Sequence, residues 1–175
     1  MSINFAKKSA PSAVADHTFL MNDGRWKLQG HWLLDREGPC VPVQGKVMVV
    51  WNSDEWFSLV GKISRPSLAN ESGSDAAEGV TDITLQYRGH IGTAAAQQQQ
   101  YTFVLQHSQY GQTEGEGWLM PDSIVQRFWV LGDRERRIGL ERFYRIDSDH
   151  YYWSSSLMTG HTLLSTLEVT LARYK

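Results

Sequence analysis

A chain of 175 residues, 41% hydrophobic and 21% charged, has the composition of one globular domain around a single core. A formal net charge of −2 excludes a strong electrostatic footprint for nucleic acid or an anionic membrane, and a lone cysteine, Cys40, excludes an internal disulfide. No run approaches the roughly 18 apolar residues of a membrane helix, and residues 1–17 lack the apolar centre of a signal peptide, so a soluble cytoplasmic protein is expected.

Residues 1–22 form an N-terminal segment in which Ser12 to Met21 is compatible with a short helix. The remainder, 23–175, reads as one β domain. Trp26, Leu28, Gly30, Trp32 and Leu34 alternate with Lys27, Gln29, His31 and Leu33, the period of two that marks a half-buried strand. Further strands are predicted over 41–51, 56–63 and 80–90. Residues 64–79, rich in Ser, Gly, Ala and acids, read as a loop, and the AAAQQQQ patch within 93–100 reads as a surface connection. Tyr101 to His107 alternates cleanly. Strands over 113–120, 123–131, 137–146, 151–158 and 162–173 follow, separated by Pro-Asp, Gly-Asp, Asp-Ser-Asp and Thr-Gly turns.

About ten strands on a hairpin rhythm, with no helical crossover, predict an all-β fold. The expected form is a closed antiparallel up-and-down barrel of about eight to ten strands, with a β-sandwich as the rival. Twenty aromatic residues (seven Trp, seven Tyr and six Phe) suit either a filled interior or an apolar pocket.

Gly24-Arg25-Trp26 at the first strand, the ten-strand meander and Arg173 in the last strand together resemble the calycins, the superfamily of lipocalins and fatty-acid-binding proteins. The resemblance implies that Arg173 packs on Trp26 and closes one end of the barrel, so that Trp26 is structural. The chain is similar in outline to the barrels that carry or attach bilins, through Gly24-Arg25-Trp26 and Gln126-Arg127-Phe128-Trp129. It also resembles haem-binding barrels of the nitrobindin type, which would make His161 the candidate iron ligand.

Several residues are candidates for a ligand site. Arg142 and Tyr144, two apart, share one strand face. Fatty-acid-binding proteins use such a pair to hold a carboxylate, although in their last strand rather than in the third from the end. Arg127 lies between Val125 and Trp129. If those face inward, Arg127 does too and needs a partner such as Glu141; the opposite parity buries Ile124, Phe128 and Val130 instead. His107 shares the face of Phe103 and Leu105, as a core residue or a ligand contact. Glu114 and Glu116, spaced by glycines, read as an exposed strand. No histidine pair stands at a metal-ligand spacing, and no Gly-x-Ser-x-Gly elbow surrounds Ser154 to Ser156. The expected function is binding of a small apolar or amphipathic molecule by a monomer or homodimer, with no cofactor specified. Transfer or isomerisation of a bound pigment or lipid, and a ligand-free interaction module, are the alternatives.

Overall fold

A computed structural model describes residues 22–52, 55–68, 79–91 and 100–175. The helix expected over Ser12 to Met21, all but the last residue of the AAAQQQQ patch and most of the 64–79 loop lie outside them. Among the described residues every regular element is a strand: β1 (Gly24–Leu33), β2 (Cys40–Trp51), β3 (Trp56–Pro66), β4 (Val80–His90), β5 (Gln100–His107), β6 (Gly111–Leu119), β7 (Ser123–Val130), β8 (Arg137–Arg145), β9 (His150–Thr159) and β10 (Thr162–Tyr174). Each pairs antiparallel with its neighbour in sequence, and β1 pairs with β10, so the sheet is a closed barrel and not a sandwich. Closure follows from the alternation. Most strands have one largely apolar face, and wrapping the sheet buries those faces and leaves no unpaired edge. β3 runs past the expected end at Ile63 to Pro66, because Arg65 continues its inner face and is buried.

The β1–β10 seam carries the Trp–Arg pair. Trp26 stands opposite Arg173 in the ladder and is fully buried. The guanidinium lies 4.7 Å from the centre of the indole, and Arg173 Nη1 donates to the Asp23 carbonyl at 3.4 Å. Tyr151 meets the same indole edge-on, with ring centres 5.3 Å apart.

Much of the interior is filled by rings lying on glycines of the next strand. Phe103 faces Gly115, Tyr101 faces Gly117, Phe128 faces Gly139 and Phe57 faces Gly89. A Cβ on any of these glycines would fall within 2.2 Å of the facing ring. Gly115 and Gly117 are therefore inner-face seats for aromatic rings, while Glu114 and Glu116 of the same strand point outward.

Candidate functional site

The inner face of β8 reads Gly139, Glu141, Phe143, so a carboxylate sits within an aromatic interior. Glu141 is buried, and its cross-strand neighbours are Gln126 on β7 and Ser155 on β9. Gln126 Nε2 donates to Glu141 Oε2. The Tyr87 hydroxyl, reaching from β4, lies 3.1 Å and 3.0 Å from the two carboxylate oxygens. The Tyr101 hydroxyl donates to Gln126 Oε1 at 2.7 Å, extending the chain. Among the described residues no Lys or Arg pairs with Glu141; every partner is neutral.

Burial pushes the Glu141 carboxyl above its ordinary pKa, because the charged form loses its water. Hydrogen bonds from Gln126, Ser155 and Tyr87 oppose that rise without cancelling it. Burial first, and then the Glu141 charge, hold the Tyr87 phenol well above its usual range, so it stays a donor. The Trp153 N–H favours the charged carboxylate but has no hydrogen-bond partner within bonding geometry.

A cavity of about 30 Å³ adjoins this cluster, bounded on its polar side by Tyr87, His107, Tyr110, Glu141 and Ser155. That volume accommodates a water or two. His107 and Tyr110 stack with ring centres 3.9 Å apart at an 18° interplanar angle, at the end of the barrel opposite the Trp26–Arg173 pair. His107 Nδ1 accepts the Gln109 N–H at 3.1 Å, which puts any ring proton on Nε2. Burial lowers its pKa to about 4, so the ring is neutral at pH 7. The Arg137 guanidinium, itself held by Asp133, lies 5.5 Å from the Tyr110 ring centre.

The residues expected from sequence divide between the two faces. His107 and Glu141 are interior, whereas Arg127, Trp129, Arg142 and Tyr144 are on the outer face and exposed. The pairing of Arg127 with Glu141 is corrected. Arg127 stands opposite Leu140, and its ion pair runs to Glu116 on the outside, Nη2 to Oε1 at 2.5 Å. The buried set of β7 is the alternative one, Ile124, Phe128 and Val130, with Gln126 among them. Arg142 lies 5.6 Å from the Tyr144 ring, and the pair faces solvent. His161 is exposed in the β9–β10 turn, away from the interior. Sequence reasoning missed Tyr87, Tyr101, Gln126 and Ser155 as a connected set. Among the described residues no group of three or more His, Cys, Asp or Glu side chains is placed to hold a metal ion.

Fold and interior together define a closed ten-strand antiparallel barrel with a polar cluster inside an aromatic core. Among solved structures the chain is similar to the S-type phycobiliprotein lyase CPES from Guillardia theta, with a TM-score of 0.56 over 93% of this chain and 96% of that one. Sequence identity is 13%, so the likeness is one of fold. No family model matches the sequence, and no curated protein matches it.

Proposed function

We propose that the barrel binds a small amphipathic molecule at the end closed by His107 and Tyr110, with Glu141 as its polar anchor. The observation that carries this reading is a buried carboxylate whose described partners are all neutral, set in an aromatic interior beside a cavity. A buried charge is costly unless paired, and a ligand that brings an N–H donor or a cation supplies the missing partner. The cavity admits water only, so binding requires the His107–Tyr110 stack to part. A bilin fits this chemistry, since its pyrrole N–H groups are donors on a flat apolar body; the likeness to a lyase of that class favours bilin over other ligands.

The test is titration with biliverdin, haemin and oleate, followed by Trp emission and by absorbance. Binding is expected for at least one probe, and Glu141→Gln is expected to weaken it about tenfold, or about 1.4 kcal/mol. The exposed Arg142→Gln should bind as the wild type does. If none of the probes alters the spectra, the reading fails. Incubation of a bilin-loaded protein with a phycobiliprotein subunit separates carriage from transfer, because only transfer leaves a coloured covalent adduct.

A second reading has an observation of its own. With about 30 Å³ of free space, the interior is close to a filled core, and the barrel would then act through its outer surface. Failure of all three probes, together with wild-type stability dependence on the interior rings, selects it.

A further inference from the structure

The outer face of β1, β2 and β3 carries an arrangement that the interior site does not explain. Lys27 stands directly opposite Lys46, and Lys46 directly opposite Lys62, so three ammonium groups cross the sheet in one row. With strands about 4.8 Å apart, the row spans roughly 10 Å. Like charges directly opposite one another destabilise a sheet. Among the described residues only the Lys62 end of the row is neutralised: Lys62 Nζ lies 2.7 Å from Asp82 Oδ2, and that carboxylate also accepts from the Ser64 hydroxyl at 2.6 Å. Lys27 lies 5.6 Å from the Tyr174 ring, and Lys46 has no acidic partner among the described residues.

The adjacent row along the same strands is Gln29, Gln44 and Ser64, again directly paired. These side chains can all donate hydrogen bonds. The two rows form the lining of a trough of about 620 Å³, which continues into a second of about 660 Å³ sharing Gln29, Gln44 and Ser64. Both are open on their solvent side, so a ligand there lies along the strands with one face in water. The chain as a whole has a net charge of −2, so the concentration of cations is local.

We propose that this trough binds a multiply charged oxyanion, carboxylate or phosphate, laid across Lys27 and Lys46 with the Gln29–Gln44 row completing its hydrogen bonds. Asp82 closes the Lys62 side against a further negative group. The proposal is independent of the interior ligand and stands if that reading fails.

The test is thermal unfolding and calorimetry on the full chain at low salt, with pyrophosphate and citrate as probes and sodium chloride of matched ionic strength as the reference. Wild-type protein should gain stability from at least one probe beyond the chloride effect. Lys46→Gln should be more stable than wild type without anion, because the repulsion is relieved, and should bind about tenfold more weakly. Lys46→Arg should keep the response, and so should Arg134→Gln, which alters an exposed turn. A response to pyrophosphate alone assigns a phosphate ligand, and one to citrate alone a carboxylate. A response no larger than that of chloride, or equal in wild type and Lys46→Gln, overturns the proposal.

Discussion

Replacing Glu141 by Gln removes the buried charge and keeps the shape, and its stabilising effect should grow with pH. The carboxylate accepts from Gln126 and Tyr87 through both oxygens. A carboxamide carries one acceptor oxygen and a donor NH₂, as the protonated carboxyl carries one carbonyl oxygen and a donor O–H. At low pH, where Glu141 is protonated, the two proteins should therefore be of similar stability. The folded-state pKa is raised above the unfolded value, so the folded protein binds the extra proton between the two. Stability is then fully present below the unfolded pKa and is lost as pH rises through the folded one. Each unit of displacement costs the wild type about 1.4 kcal/mol, and the variant nothing. The assay is urea unfolding of both proteins from pH 4 to pH 8, with the difference taken at each pH so that other titrations cancel. The two should be close at pH 4, and the variant should become the more stable protein as pH rises. A difference independent of pH would refute the account of Glu141 as an uncompensated buried charge.

His107 contributes a slope of the opposite sense. Its pKa falls from 6.5 unfolded to about 4 folded, so stability present above pH 6.5 should drain away toward pH 4, by at most about 3 kcal/mol. His107→Gln keeps an acceptor for the Gln109 N–H and should flatten that limb in the same urea series; an unchanged limb would count against the buried neutral ring. Gly117→Ala should destabilise by about 1–3 kcal/mol through overpacking, since the new Cβ falls 2.2 Å from Tyr101 Cζ. An unaltered urea midpoint would show that the ring is not seated there.

The ten strands were legible because period-two alternation survives in nearly every one. The parity of β7 and β8 was not, for a physical reason. β7 has Val125 and Trp129 on its outer face and Ile124 and Phe128 on its inner face, while β8 turns Ile138, Leu140 and Tyr144 outward and Glu141 inward. Local hydropathy there is neutral or inverted. The information lay one hairpin away. Directly paired residues share a face, so the clear inward set of Tyr101 and Phe103 carries through Gly117 and Gly115 to Gln126 and Phe128, and from there to Glu141 and Gly139. Propagating the register in this way would have moved Arg127 and Arg142 outside. The glycines of β6 misled for a related reason: a residue without a side chain reads as exposed until the ring that covers it is known. The lysine row was invisible for want of a register between strands about twenty residues apart in sequence.

The Trp26–Arg173 seam also sets the order in which the molecule is able to assemble. Nine of the ten strand contacts join sequence neighbours, and the tenth joins the two ends of the barrel, with Arg25 paired to Tyr174. Local hairpins close cheaply, whereas a pairing between remote segments must first bear the entropy of the loop between them. The seam is therefore expected to zip last, after the meander has formed an open, curling sheet with two bare edges. Interactions made after the folding barrier act on the unfolding rate. Arg173→Ala should accelerate unfolding in stopped-flow measurements while leaving the folding limb almost unchanged; a slowed folding limb would place the seam in the nucleus instead. The arginine on the indole thus acts as a latch, governing how long the barrel stays shut more than how fast it forms.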